Sequence, residues 1–188
     1  MSVNNHSHDG KTCSHSSAPN PYSQTLDELD FQKSIHYACL NKDVTRVKTI
    51  ISKKGGSVVN EIDSTGYTPL HYAARKGYLE ICRTLIDHGA NVNAITPELL
   101  STPLHRASAY NHFNVVSLLL SSGAKHTLQD SDGKTCLHRA FENGSKDVIL
   151  ILKNLNDFES LSHIKDKNEK IPSDCCKDAE ILKLKFSE

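Results

Sequence analysis

The chain has 188 residues, enough for one folded domain with a tail. Its 22 basic residues are balanced by 22 acidic ones, which does not favour a protein that neutralises a phosphate backbone. No apolar run approaches the ~20 residues of a membrane-spanning helix. Residues 1–5 lack the features of a secretory signal, and residue 2 is not the glycine that myristoylation requires. We therefore expect a protein of the cytoplasm, the nucleus or both, with no membrane partner.

The first 24 residues differ in composition from the rest of the chain. They are rich in Asn, Ser, His and Pro, and residues 1–24 are expected to be disordered because they contain little to bury. Four side chains that can bind zinc or copper lie among them, namely His6, His8, Cys13 and His15. Their spacing matches no known metal framework. We therefore expect no metal and no cofactor, and a metal- or redox-responsive tail is the alternative.

Residues 25–62 predict short helices. Thr25 and Glu28 are three residues apart and fit a capping box, which favours a leading helix. The segments 35–38 and 46–51 carry the apolar residues of two further helices.

One short string then recurs at a nearly fixed spacing. The sequence TPLH occupies residues 68–71 and again 102–105, and the closely similar TCLH occupies 135–138. A fixed period of about 33 residues indicates stacked repeats. In each string the threonine can cap a helix, and in the two TPLH strings the proline fits the first helical turn.

Turn signals separate these units. The sequences DSTG at 63–66 and DSDG at 130–133 suit type I turns, with Asp first and Gly fourth. Gly77 follows a helical stretch, where a left-handed residue can end the helix, and Asn111 and Gly144 hold the same place in the next two units. A second apolar helix follows each of them, so every unit is predicted to be turn, helix, helix.

Residues 63–94 closely resemble a complete ankyrin repeat. The resemblance implies an all-α solenoid of about four helix-turn-helix repeats, with β-turn fingers and polar end caps. The Cys-Ser-His tail, the Thr-Leu-Asp-Glu segment and the His-Arg-Ala inner helices are also similar to a group of small metazoan ankyrin-repeat proteins. The implied units are a leading helix with a degenerate first repeat at 25–62, repeats at 63–95, 96–129 and 130–165, and a truncated capping repeat at 166–188.

In that family the histidine of the repeated string braces neighbouring loops by hydrogen bonds. Structural roles are therefore implied for Thr68, His71, Gly77, Thr102, His105, Thr135 and His138. The first helix of each repeat lines a concave surface, the palm, and the turns project from it as fingers.

Transferring this geometry residue by residue gives a candidate binding strip on the palm. The residues after each histidine are Tyr37, Tyr72, Arg106 and Arg139, and Arg75, Lys76 and Tyr110 lie beside them. Tyrosine and arginine are enriched among interface hot spots, so we expect these side chains to contact a partner, with the two arginines pointing outward. The alternatives are that the stems of these side chains pack between helices, and that Glu142 pairs with Arg139.

The third finger departs from the pattern. Residues 95–101 are one residue longer than the other fingers and lack their Asp and Gly. Leu99 and Leu100 are expected near its tip. Either they fold back onto the neighbouring finger, or they anchor a partner.

The cysteines are expected to be reduced. Cys39, Cys82 and Cys136 lie at aligned helix positions and are interpreted as core residues. Cys175 and Cys176 either fill the inner helix of the closing unit, or bind a soft metal or sense oxidants.

The sequence predicts no enzyme. It has no Gly-rich phosphate loop after a strand, no His-Glu-x-x-His and no nucleophile elbow. The predicted function is a non-catalytic protein-interaction module, adaptor or scaffold. It would be a monomer that binds one or more proteins and no small-molecule substrate. A nucleic-acid-associated regulator is an alternative that the neutral charge disfavours.

Overall fold

The computed structural model describes residues 31–178 and 181–182. Outside this part lie the tail at 1–24 with its four candidate ligands His6, His8, Cys13 and His15, the capping box at 25–28, and residues 179–180 and 183–188 of the predicted capping repeat. Within it there is no strand, and the all-α prediction is confirmed. None of the helices in this part is both long and apolar enough to cross a lipid bilayer.

The helices occur as inner and outer pairs. The pairs are α1 (Ile35–Leu40) and α2 (Val44–Lys54), α3 (Pro69–Lys76) and α4 (Leu79–Asp87), α5 (Pro103–Ala109) and α6 (Phe113–Ser121), and α7 (Cys136–Glu142) and α8 (Lys146–Lys153). A short α9 (Phe158–Ser162) and 3₁₀ turns at Gly56–Asn60 and Pro172–Cys175 complete them. The inner helices contact one another in chain order, as do the outer helices, so each unit is covered only by its neighbours.

Apolar side chains fill the interfaces between successive units. Leu70, Leu104 and Leu137, at equivalent positions of three inner helices, are buried. Cys82 and Cys136 are buried as well, and burial raises the pKa of each thiol to about 12. Cys39 is likewise buried. The interpretation of these three cysteines as core residues is confirmed.

The C-terminal part differs from the expected pattern in two places. An additional short helix, α9, precedes the final turn, and the inner helix of the closing unit is only the 3₁₀ turn 172–175. This turn ends because Cys176 is extended, with ψ 134°. Cys175, the last residue of this turn, and Cys176, which follows it, are therefore half-buried rather than enclosed in a helix. Burial raises the pKa of Cys175, which disfavours the thiolate that oxidants and soft metals require.

Paired threonine and histidine residues begin α3, α5 and α7 and connect each repeat to the next. The backbone N–H of Thr68 donates to Nδ1 of His71 at 3.2 Å. Because Nδ1 accepts, Nε2 carries the proton and donates to the carbonyl oxygen of Ser101 at 2.9 Å. The equivalent bonds run from His105 to Lys134 at 3.0 Å and from His138 to Lys170 at 3.1 Å. Thr102 and Thr135 repeat the role of Thr68, and this is the bracing that the family resemblance implies.

These buried histidines should make the fold sensitive to mild acid. Burial lowers the pKa of His71 to about 4 and also lowers the pKa of His105 and His138. An unfolded histidine titrates near pH ~6.5. Below that pH the unfolded chain binds more protons than the folded chain, so stability decreases as the pH falls from ~6.5 towards 4. Each histidine contributes at most ~1.4 kcal/mol per pH unit.

Urea unfolding at pH 7.5, 6 and 5 would measure this slope. A His71→Asn variant should be less stable at pH 7.5 but should show a shallower dependence on pH. Equal stability of the parent chain at pH 7.5 and 5 would contradict the prediction. Carboxylates with depressed pKa values contribute little to this slope, because their stabilisation is lost mainly below pH ~5.

Candidate functional site

The second finger, residues 63–67, is closed by a carboxylate that also reaches the palm. Oδ1 of Asp63 accepts the backbone N–H groups of Thr65 and Tyr67, each at 2.9 Å. Oδ2 accepts the hydroxyl proton of Tyr72 on α3, with an oxygen–oxygen distance of 2.6 Å. Partial burial acts against ionisation of Asp63, but these hydrogen bonds outweigh it and hold the pKa of the carboxyl below its usual range. Tyr72 is thus bound to its own finger.

The fourth finger, residues 130–134, repeats this arrangement with an arginine. Oδ1 of Asp130 accepts the backbone N–H of Lys134 at 3.0 Å, and Oδ2 accepts Nε–H of Arg139 at 2.7 Å. Asp132 and Glu142 also bind the guanidinium, at 2.8 and 2.9 Å. Three carboxylates therefore surround Arg139. The expectation of a free, outward guanidinium at this position is wrong, and the alternative pairing with Glu142 is present.

The third finger, residues 96–101, has the same backbone closure, but a threonine takes the place of the closing aspartate. The carboxylate of Glu98, also in this finger, is exposed and does not replace that aspartate. Thr96 donates its N–H to the carbonyl of Ser101, and its Oγ1 accepts the N–H of Ser101, both at 3.1 Å. Thr96 thus occupies the place of Asp63 and Asp130, and it reproduces the Oδ1 contact. It has no second oxygen to offer to Arg106.

Arg106 consequently has different neighbours from Arg139. Its guanidinium lies 5.0 Å from the centre of the Tyr67 ring, and Nη2 donates to the Tyr67 hydroxyl. Among the described residues no carboxylate lies within ion-pair distance of Arg106, and its buried Nε–H has no hydrogen-bond partner. The side chain that holds Arg106 is thus Tyr67, which was not among the predicted binding residues.

The N-terminal half of the palm is largely occupied by its own aromatic side chains. Phe31 lies 6.0 Å from the ring of Tyr37 and 6.3 Å from that of Tyr72. The Tyr72 ring is 5.7 Å from that of Tyr67, and the Arg46 guanidinium lies 6.0 Å from the Tyr37 ring. Tyr37 and Tyr72 are therefore engaged within the chain. The sequence analysis did not predict that Phe31 and Tyr67 lie on the palm. For Tyr67, its position at the base of a finger could have indicated this.

The middle of the palm exposes several of the predicted binding residues. Tyr110 is 48% exposed, and the guanidinium of Arg75 lies 5.6 Å from the centre of its ring. Lys76 is exposed beside them. Leu99 and Leu100 are 45% and 41% exposed. The Leu99 carbonyl accepts the N–H of Ser131 at 2.8 Å. This bond connects the third finger to the fourth, but the side chains of Leu99 and Leu100 remain largely exposed.

A groove of about 320 Å³ lies between the third and fourth fingers and the inner helices α5 and α7. It brings together four of the predicted binding residues: Leu99, Arg106, Tyr110 and Arg139. His105, predicted in a structural role, also lines it, and four lining residues were not predicted as site residues: Ser101, Ala109, Asp130 and Asn143. The other predicted residues, Tyr37, Tyr72, Arg75, Lys76 and Leu100, do not line it. The described residues contain no cluster of three or more His, Cys, Asp or Glu placed to hold a metal ion.

Stacked helical pairs with a groove between fingers and inner helices define a repeat protein whose surface is assembled from several units. The family model described as ankyrin repeats (3 copies) matches residues 4–96 and 97–160. The chain belongs to the ankyrin repeat family, whose repeats are generally non-catalytic protein-interaction modules.

Two relatives carry the same printed name, "Ankyrin repeat domain-containing protein 39". The Homo sapiens protein is 46% identical over 88 residues, which are 47% of this chain and 47% of that protein. The Bos taurus protein is 50% identical over 70 residues, 37% of each chain. These matches confirm the resemblance to a group of small metazoan ankyrin-repeat proteins.

A third relative has a different printed name. "Palmitoyltransferase Hip14" of Drosophila melanogaster is 33% identical over 118 residues, 63% of this chain but only 18% of that protein. The chain thus spans about half the length, or less, of these curated relatives.

Proposed function

We propose that this chain is a non-catalytic adaptor that binds a segment of another protein on its concave palm, centred on the groove between the third and fourth fingers. One observation carries the proposal. The exposed apolar side chains Leu99 and Tyr110 lie at a groove that also contains the cation Arg106. Large apolar side chains that border a polar groove are typical of interaction sites.

Membership of a family of interaction modules supports this function, and so does the internal pairing elsewhere on the palm. Tyr72 and Arg139 are already bound to their own fingers. The third repeat, residues 96–129, therefore contributes most of the groups that a partner can contact at the groove, namely Leu99, Arg106 and Tyr110. Within this proposal the chain acts as a monomer in the cytoplasm or nucleus, and it has one or more protein partners.

The nucleic-acid alternative has weaker support. Asp130, Asp132 and Glu142 lie together at one end of the groove, around Arg139. Although Arg106 and Arg75 are cationic, a phosphate backbone crossing the groove would meet these carboxylates. The metal- or redox-responsive tail concerns residues that the structure does not describe, and no specific observation favours it.

Affinity capture followed by mass spectrometry would test the proposed site. The full chain is compared with a palm variant, Leu99→Ser together with Tyr110→Ser. A matched control, Phe113→Ser with Leu150→Ser, removes apolar side chains that are similarly exposed, each at 43%, from outer helices. We expect specific partners to be lost from the palm variant and retained by the control. Binding of a purified partner should then weaken at least ~10-fold in the palm variant.

The opposite pattern would exclude the palm. If the outer-helix control loses the partner while the palm variant keeps it, the binding surface lies on the outer helices. Thermal melts of both variants establish that each remains folded.

A further inference from the structure

We propose that Arg106 binds one carboxylate side chain of the partner, which takes the role that Asp63 and Asp130 have in the second and fourth repeats. The proposal rests on the proposed function and specifies the chemistry of the bound segment. That segment carries an aspartate or glutamate at Arg106 and an adjacent apolar residue against Leu99.

The first argument comes from comparison of the three palm positions. In the second and fourth units Oδ2 of the finger aspartate accepts a hydrogen bond from the palm residue, at 2.6 Å from the Tyr72 oxygen and 2.7 Å from Arg139 Nε. Thr96 supplies the backbone contact of the missing aspartate but not this second oxygen. In the third unit Arg106 therefore has no carboxylate oxygen equivalent to those that bind Tyr72 and Arg139.

The second argument concerns the donors of Arg106. A guanidinium has five N–H donors, and within the described chain only Nη2 has a partner, the Tyr67 hydroxyl. Guanidinium groups bind carboxylates in a planar, often two-point geometry. The Nε–H is buried and out of reach of a partner. Nη1 is not buried and has no partner within the described chain, so a carboxylate from outside the chain can bind the guanidinium there.

The third argument concerns how much negative charge the bound segment can carry. Around Arg139 and Lys134 lie three carboxylates, Asp130, Asp132 and Glu142. This end of the groove is net negative, whereas Arg75 and Arg106 provide positive charge towards the second repeat. A single carboxylate at Arg106 can avoid the acidic end, but a run of acidic residues or a phosphate backbone cannot. Leu99 supplies the apolar contact beside it.

A peptide selection would test this chemistry without a known partner. A phage-displayed random peptide library is selected on the full chain, and an enriched peptide is synthesised for fluorescence anisotropy. We expect enriched peptides to share one acidic residue next to an apolar residue. Changing that acid to its amide should weaken binding ~10-fold or more, as expected for one hot-spot contact.

Three variants of this chain test whether Arg106 is the group that binds the acidic residue of the peptide. Arg106→Gln removes the cation and should weaken the acidic peptide ~10-fold or more while leaving the amide peptide unchanged. Thr96→Asp supplies an internal carboxylate to Arg106 and should weaken the acidic peptide similarly, although the arginine is retained. Arg83→Gln makes the same chemical change as the first variant at an exposed site on α4, and it should have no effect. If Thr96→Asp fails to fold in a thermal melt, the pair Arg106→Gln and Arg83→Gln still decides the result.

Two results would overturn the inference alone and leave the proposed function intact. In the first, peptides require Leu99 and Tyr110 but are indifferent to their acidic residue and to Arg106. In the second, peptides depend on Arg106 but carry no acidic residue.

Two other results would also count against the proposed function. If a single-stranded oligonucleotide displaces the peptide and itself loses binding in Arg106→Gln, the groove binds nucleic acid. If no enriched peptide responds to any palm substitution, or if no peptide is enriched, both proposals are wrong.

Discussion

A Gly77→Val substitution is expected to destabilise the repeat stack by about 3 kcal/mol, the sum of a strained backbone and an overpacked contact. Gly77 ends α3 in the left-handed region, with φ 73° and ψ 22°, where a residue with a β-carbon is strained by ~1–2 kcal/mol. A β-carbon at this position would also lie 2.5 Å from Nδ1 of His112. That imidazole cannot move freely, because its Nε2 donates to the Arg75 carbonyl at 2.9 Å. The valine variant therefore combines backbone strain with a steric clash.

Urea unfolding measures the decrease in the free energy of unfolding, and Gly89→Val is the matched control. Gly89 has φ 87°, but a β-carbon there would meet nothing within 4 Å. The control should therefore lose only the strain contribution of ~1–2 kcal/mol. Because neighbouring repeats share interfaces, the Gly77→Val loss should move the whole unfolding transition. Equal losses in the two variants would show that the contact with His112 does not matter.

Gly77 illustrates what the sequence alone could predict. Its place after a short helix indicated a left-handed residue, and the equivalent Asn111 is also left-handed, with φ 56°. Such positions can be predicted because they depend on the local chain and recur with the repeat. The regular spacing of the TPLH and TCLH strings predicts the helical pairs for the same reason.

The binding residues of the palm were predicted less well. Alignment of the repeats shows which positions are equivalent, but it does not show which side chains are already paired within the chain. Arg106 and Arg139 lie in the same His-Arg-Ala string, yet three carboxylates bind one and none binds the other within the described chain. The deciding residues, Thr96 and Asp130, precede these arginines in the fingers of their own repeats. That signal was present in the sequence as the missing Asp of the third finger. Phe31 gave no such signal, since its contacts depend on how the chain enters the stack.

The different pairing of Arg106 and Arg139 predicts a large difference in how much each contributes to the stability of the fold. Arg139→Ala is expected to destabilise the fold by about 2 kcal/mol, because it leaves the carboxylate of Asp130 buried without its cation. The side chain of Asp130 is only 2% exposed, whereas that of Arg139 is 25% exposed, so the loss should fall below that of a fully buried pair. Arg106→Ala removes no ion pair within the described chain and should cost ~1 kcal/mol or less. The outward orientation that the sequence analysis expected for both arginines would imply a cost of ~1 kcal/mol or less for each, and for Arg139 this does not hold.

A double-mutant cycle separates pairing from packing. Asp130→Asn leaves a neutral amide in the finger, so adding Arg139→Ala to it should cost less than Arg139→Ala costs in the parent chain. Urea unfolding at pH 7.5 gives all four free energies. If Arg139→Ala costs the same in both backgrounds, the ion pair contributes nothing, and Arg139 is as free to bind a partner as Arg106. If the costs differ as expected, lost partner binding in Arg139→Ala reports a damaged fourth finger, whereas in Arg106→Ala it reports the contact itself.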